Sequence, residues 1–294
     1  MSRAFGRPLF ALANCRPLLV RRLQTAAATN ESGRQPVFLC IGGGAGIGQA
    51  AARKFSEEGF HSCIVRRGKG PHRLIDGDGN MDAFVQDIES SGGRCTSLFA
   101  DGTDGESVKR LVEEIERDIG PIKVALYNIG AQVGNRTLEK TSYGIFQRAL
   151  DMGVTGLFAL AKEVAPHMTS RDGGTILVTN STAAWRGNRG QHAHTAAMGA
   201  RRNLCQSLSH ELAPQGVHVC HFNIDAAVLS PETIGALMPE MFEKLKAKAL
   251  PQEAIVLPEH VADTYFFISQ QPRSSWTFEM DIRPWKETPW WNSS

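Results

Sequence analysis

The sequence predicts an α/β protein: one doubly wound domain with a mostly seven-stranded parallel sheet and helices on both faces. Three observations lead there. Short apolar runs rich in β-branched residues alternate with stretches of helical spacing from Pro36 onward. A glycine-rich turn joins the first such run to the first helical stretch. The 294 residues suffice for one domain with a full core. Strands alternating with helices of ten or more residues pack as a parallel sheet covered on both sides, and right-handed crossovers wind it twice.

The elements follow in order. "VFLCI" (37–41) is a buried strand bounded by glycines, and "AGIGQAAARKFSEEG" after it has helical spacing up to Gly59. "HSCIV" (61–65) is a second strand. Met81, Phe84, Val85 and Ile88 repeat at i, i+3, i+4, i+7, and Gly92 and Gly93 stop that helix. "CTSLF" (95–99) is a third strand; Val108, Leu111, Val112, Ile115 and Ile119 form the next apolar stripe, ended by Gly120 and Pro121. "KVALY" (123–127) is a fourth strand, and a long helical stretch from Ser142 to Met168 is expected to break near Gly153. "TILVT" (175–179) is a fifth strand, 192–213 a helix, "VHVCHF" (217–222) a sixth strand, 260–270 a helix, and "WTFEMDI" (276–282) a last strand. No internal repeat is evident.

Composition narrows the function classes. A net charge of +2 and no basic run interleaved with aromatics argue against nucleic acid as a partner. Six cysteines stand singly (Cys15, Cys40, Cys63, Cys95, Cys205, Cys220), mostly in apolar runs, as free thiols of a reducing compartment do. The first thirty residues carry Arg3, Arg7, Arg16, Arg21 and Arg22, and no acid precedes Glu31. Such a segment has the composition of a mitochondrial presequence, although it is poor in serine, so residues 1–33 are set apart from the domain at 34–294 and the mitochondrial matrix is the expected location. Pro8, Pro17 and the arginines leave no apolar run of membrane-spanning length.

The turn "CIGGGAGIGQA" spaces Gly42, Gly46 and Gly48 as Gly-x3-Gly-x-Gly, with Ile47 between the last two. Glycines here permit a tight turn and close approach of backbone to a phosphate. The following helix presents its N-terminal amides and positive dipole end to a pyrophosphate. A strand before and a helix after make this a Rossmann-type dinucleotide site, at the carboxyl ends of the strands. The second strand ends in "VRRGKG", with Arg66, Arg67 and Lys69 where an acid would pair with a free 2′ hydroxyl. Guanidinium forks suit a 2′-phosphate, so NADP(H) is the expected cofactor, with NAD(H) left open.

Over residues 36–283 the chain resembles the short-chain dehydrogenase/reductase (SDR) family. The glycine turn comes first; "FADGTD" resembles the family's Asp-x-Thr-Asp and "YNIGA" its Asn-Ala-Gly. The resemblance implies that Asp101 lies by the adenine. It implies that Asn128 and Gly130 stand beside the adenosine ribose and help hold the central sheet. "GGTILVTNSTAA" resembles the strand carrying the family's serine, and "LSHELAPQGVHV" the helix, turn and strand after its active-site helix. The tail "QPRSSWTFEMDIRPWKE" departs from the family's common ending. It resembles a bacterial subgroup ending in Trp-Thr-x-Glu-x-Asp-Leu-Arg-Pro, known generically as oxidoreductases. Family members are commonly oligomers, so a homo-oligomer is expected through the helices at 142–168 and 192–213.

The family moves a hydride between a nicotinamide and a carbonyl or alcohol carbon. A tyrosine carries the proton, a lysine four residues later tunes it, a serine holds the oxygen, and an asparagine anchors a relay water. Here Ser181 fits the serine slot, with Thr182 as the register alternative. About thirteen residues on, in the tyrosine slot, stands His194; Met198 takes the lysine slot and Gly153 the asparagine slot. No Tyr-x3-Lys exists anywhere, and the loop expected to hold Pro-Gly has Asp225 and Ala226. Methionine supplies neither charge nor donor. His194, with an ordinary pKa of about 6.5, is the one replacement acid in place.

Two readings therefore stand. The first is an NAD(P)(H)-binding member with a degenerate catalytic site, an assembly partner or sensor, with a larger mitochondrial assembly as an expected setting. The second is an NADP(H)-dependent oxidoreductase of a small carbonyl or alcohol, with Ser181 and His194 as its catalytic pair and the 228–258 segment as a lid. No metal is expected: "DGDGN" (76–80) lacks the glycine and glutamate of a calcium loop, and His192 and His194 point to different sides of a helix. Trp285, Trp290 and Trp291 are left between anchoring a partner chain and covering the last strand.

Overall fold

The computed structural model describes residues 33–68, 79–134, 136–235, 238–248 and 250–292. The expected presequence, apart from Gly33, lies outside them, as do Cys15, Lys69 and Asp76 to Asp78 of the rejected calcium loop. The strands are β1 (Val37–Ile41), β2 (His61–Arg66), β3 (Arg94–Phe99), β4 (Ile122–Tyr127), β5 (Gly174–Ser181), β6 (Val217–Ile224) and β7 (Glu279–Ile282). They form one parallel sheet in the order β3-β2-β1-β4-β5-β6-β7. The order reverses between β1 and β4, which places the switch point at the glycine turn.

Helices cover both faces. On one lie α1 (Ile47–Glu57), α2 (Gly79–Ser90) and, later in the chain, α8 (Pro258–Ser269), around Phe38, Phe55, Ile64, Leu126 and Tyr265. On the other lie α3 (Gly105–Glu114), α5 (Gly156–Thr169) and α6 (His192–Leu212), around Leu39, Val112, Ala125, Leu160 and Val219. The central strands are buried on both faces, which is why β1 reads as an unbroken apolar run rather than an alternation. The short helix α4 (Tyr143–Leu150) precedes α5, and α7 (Pro239–Lys248) lies within the 228–258 segment. Among the described residues no helix is long and apolar enough to cross a membrane.

The expected helix break is present, while several strand boundaries differ from the sequence expectation. The helix expected over 142–168 is divided by a π-helical turn at Asp151–Thr155, centred on Gly153 as foreseen. Strand β6 runs on to Ile224, because its register with β5 continues to Ser181. Strand β7 begins at Glu279 rather than Trp276. The three residues before it serve other contacts: Trp276 stacks on His218 at 4.8 Å, and the Thr277 carbonyl lies 2.8 Å from His218 Nε2.

All five cysteines in the described part are free and buried. Burial pushes the thiols of Cys95 and Cys205 up to about 12, which leaves them unreactive. Burial also lowers the pKa of His61, His194, His218 and His221; at His221 it outweighs the neighbouring Glu279 carboxylate, which acts the other way. Each folded value lies below the unfolded value of about 6.5, so below that pH the unfolded chain binds more protons. Stability present at neutral pH is then lost on acidification. The melting temperature is expected to fall between about pH 7.5 and about pH 5.5, and His61→Gln with His218→Gln to flatten that slope. A pH-independent melting temperature over this window would contradict neutral burial of these imidazoles.

Candidate cofactor and active site

The glycine turn is built by contact. Gly42 has φ of +99°, and a Cβ there would lie 2.7 Å from the Asn128 carbonyl carbon, so only glycine fits. Gly48 is held just as closely: a Cβ would lie 2.5 Å from the Gly42 carbonyl oxygen. Asn128 pins the turn from β4, donating from Nδ2 to the Gly42 carbonyl (2.9 Å) and accepting at Oδ1 from Thr179 Oγ1 (2.7 Å). Strands β1, β4 and β5 are thus cross-linked at their carboxyl ends by side chains as well as by the ladder.

A cavity of about 520 Å³ opens at this point, within the range of small-molecule and cofactor sites. Gly42, Gly46, Ile47, Arg66, Arg67, Asp101, Asn128 and Gly130 all line it, as the sequence predicts. Gly48 does not; it stands behind the turn and serves packing instead. At Gly130 nothing lies within 4 Å of a built Cβ, so no close packing demands glycine there, whereas the side chain of Asn128 does tie neighbouring strands. Asp101 accepts at Oδ1 from the backbone and hydroxyl of Thr103 (2.9 and 2.7 Å) and so fixes the loop after β3. Met152, Thr179, Val228 and Ser230 also line it; of these the sequence reading had placed only Val228 and Ser230, within the lid. The turn brings backbone from Gly42 to Gly46 to the cavity wall, where it can meet a phosphate-bearing ligand, and Arg66 and Arg67 on the same wall supply cations, so the residues present fit a dinucleotide.

Neither Ser181 nor His194 lines this cavity; Ser181 follows the wall residue Thr179 by two positions on β5. Ser181 Oγ and His194 Nε2 are 3.3 Å apart, a long hydrogen bond that favours Ser181 over Thr182 as the serine. Burial lowers the His194 pKa; the Ala131 carbonyl opposes this and the charge of Arg201 adds to it. Its Nδ1 is buried without completing a hydrogen bond. Met198 is 2% exposed, packed among Ala131, Ala149, Ala193 and Ala197. In the asparagine slot a Cβ on Gly153 would lie 2.6 Å from Ala197 Cβ, so α6 occupies the space an asparagine needs. Among the described residues no group of His, Cys, Asp and Glu is arranged to hold a metal.

One residue here escaped the sequence reading. Arg201, 1% exposed, spreads its guanidinium over four backbone carbonyls. Nε donates to Gly153 (2.8 Å), Nη1 to Thr179 (2.7 Å), and Nη2 to Ile129 (2.7 Å) and Met152 (2.9 Å). It also lies 5.1 Å from the centre of the Tyr127 ring. The signal was present: Ala197, Arg201 and Cys205 repeat at i, i+4, i+8, which puts an arginine on the buried stripe of α6.

The Asp225 position also has its own explanation. Asp225, 5% exposed, accepts from Arg283 Nη1 (3.3 Å) and from the Trp290 backbone N–H (3.1 Å). It therefore anchors the C-terminal tail. Trp290 stacks on Trp185 at 5.6 Å, its indole N–H reaches Asp281 (3.2 Å), and Arg186 donates to its carbonyl (3.1 Å). Trp285 donates to the Gln252 carbonyl in the 228–258 segment (3.1 Å). So Trp290 lies against the sheet's last strand and Trp285 ties the tail to the lid, while Trp285 and Trp291 stay more than half exposed.

Fold, switch-point cavity and glycine turn define a dinucleotide-binding α/β protein. The chain belongs to the short-chain dehydrogenase family of NAD(P)-binding oxidoreductases, whose model matches residues 36–227. It is 30% identical to a short-chain dehydrogenase from Rhodopseudomonas palustris; the match covers 85% of this chain and 99% of that one, at a TM-score of 0.66. An uncharacterized oxidoreductase of Bacillus subtilis is 26% identical over 251 residues, 82% of this chain and 86% of its own length. A 3-oxoacyl (acyl-carrier-protein) reductase from Agrobacterium tumefaciens with NADP bound shares the fold at a TM-score of 0.72 and 20% identity, over 90% of this chain and 98% of that one.

The packing of Gly153 yields a test. Gly153→Asn restores the family's residue but is expected to destabilise by about 1–3 kcal/mol, as overpacking does. Chemical denaturation would read this; a stability equal to the parent's would mean that α6 can withdraw.

Proposed function

We propose that this protein binds NADP(H) and does not perform the family's hydride transfer by its usual acid, serving instead as a nucleotide-dependent sensor or assembly partner. The observation that carries this reading is the contrast between the two halves of the site. The cavity for the adenosine and pyrophosphate is lined by the glycine turn, Asn128 and two arginines. In the lysine slot the buried Met198 offers neither charge nor donor, and α6 fills the asparagine slot. Arg66 and Arg67 support preference for a 2′-phosphate, and the NADP found in the Agrobacterium reductase agrees with it. The basic, acid-poor N-terminus supports import into the mitochondrial matrix. Exposed Tyr143, Phe146 and Phe158 on α4 and α5 support a homo-oligomer through that face, with a larger mitochondrial assembly as its setting.

In such a complex this chain's residues would act as follows. The amides at the start of α1 and the backbone from Gly42 to Gly46 hold the pyrophosphate, and Arg66 and Arg67 hold the 2′-phosphate. Asn128 keeps the turn in place by its bond to the Gly42 carbonyl. The nicotinamide would supply or accept a hydride when bound.

The 3.3 Å contact between Ser181 and His194 favours a second reading, an oxidoreductase of a small carbonyl or alcohol. Ser181 would hold the substrate oxygen and His194 exchange its proton. Its lowered pKa makes the neutral imidazole the main form at neutral pH, able to donate one proton and accept another.

Calorimetric titration separates these readings from their alternatives. NADPH is expected to bind more tightly than NADH, and Arg66→Ala with Arg67→Ala to weaken NADPH by about tenfold or more while leaving NADH nearly unchanged. Saturable binding of neither dinucleotide would overturn both readings. Turnover on a panel of carbonyl substrates is expected to be absent in the parent and to emerge only with His194→Tyr and Met198→Lys together. Parent turnover that His194→Ala abolishes would establish the second reading in its place.

A further inference from the structure

We propose that the buried guanidinium of Arg201 makes this cavity select the reduced dinucleotide over the oxidised one. The inference rests on the dinucleotide reading above and adds redox-state preference to it. Three of the four carbonyls that Arg201 holds belong to Ile129, Met152 and Thr179, and all three residues line the cavity. The cation is therefore one residue's thickness behind the wall at the end nearest Ser181 and His194, where a nicotinamide belongs. An oxidised nicotinamide ring carries one positive charge and a reduced ring carries none. A fixed cation behind the wall raises the free energy of the first and leaves the second almost unaffected.

The surroundings do not cancel this charge. Among the described residues no carboxylate pairs with Arg201; its guanidinium touches carbonyl oxygens and the Tyr127 ring. The ionisable neighbours are Tyr127, Tyr265 and Cys205, and burial pushes all three upward, so they stay neutral. Asp225 is committed to Arg283 and the tail. His194 is neutral or positive, never negative. In the family's pattern a cationic lysine stands beside a phenol that ionises; here the cation has no such partner. The carbonyls of Met152 and Gly153, in the π-helical turn at Asp151–Thr155, accept from Arg201, and the Met152 carbonyl also accepts from the Tyr127 hydroxyl (2.7 Å). A protein that senses redox state needs such a bias, whereas a freely reversible dehydrogenase is hindered by it.

The test measures dissociation constants of NADPH, NADP⁺ and 2′-phospho-ADP-ribose, which lacks the nicotinamide, by calorimetry. In the parent, NADPH is expected to bind about tenfold or more tightly than NADP⁺. Arg201→Lys retains that ratio. Arg201→Gln brings it to within about threefold and leaves 2′-phospho-ADP-ribose unchanged. Met198→Glu sets a carboxylate one helical turn before Arg201 and is expected to shrink the ratio in the same way, which covers the case in which Arg201→Gln does not fold. Equal affinities in the parent, or a ratio that survives both neutralising variants or whichever of them folds, would overturn the proposal. Binding of 2′-phospho-ADP-ribose alongside equal NADPH and NADP⁺ affinities would overturn this inference alone. No binding of any of the three would overturn the dinucleotide reading itself.

Discussion

A single guanidinium holds together the half of the molecule where chemistry would occur. Arg201 on α6 reaches the loop after β4, the end of β5 and the π-helical turn between α4 and α5. Burying an unpaired charge costs several kcal/mol, so it persists only where its donors are used well. Four charge-assisted bonds, each worth about 1.5–3 kcal/mol, offset that cost. The local features follow from it. The helix between β4 and β5 breaks where its carbonyls turn inward to the guanidinium. Gly153 sits against Ala197 because α6 must come close enough for the bonds to form.

The other half of the site depends on a different constraint, close approach of backbone to backbone. Gly42 and Gly48 have no space for a Cβ, and Asn128 locks their turn to β4. This half is built for a phosphate-bearing ligand whatever happens at the nicotinamide end. The two halves share Thr179, whose hydroxyl bonds Asn128 and whose carbonyl accepts from Arg201. A disturbance at Arg201 therefore has a direct route to the glycine turn.

The C-terminal tail adds a third element. Asp225 uses its carboxylate to hold Arg283 and Trp290, and the tail in turn touches the segment after Ser181 and the lid. Residues that look like departures from a family pattern thus have structural work of their own. Met198 completes an alanine-lined cluster, Gly153 admits α6, and Asp225 anchors the tail.

The sequence by itself determined the fold class, the strand order of appearance, the glycine turn and the register of the altered catalytic slots. These depend on local periodicity and on residue types whose constraints are intrinsic, such as glycine where φ is positive. It placed Gly42, Asn128, Arg66 and Arg67 at one cavity because a doubly wound sheet brings strand ends together. It could flag Arg201 only as a charge on an apolar stripe, since which carbonyls receive it depends on three segments distant in the chain. Gly48 against Gly130, packing against open space, was likewise undecided until the backbone around each was in place. The role of Asp225 was hidden for the same reason: its partner Trp290 lies 65 residues away, and only the tertiary fold closes that distance.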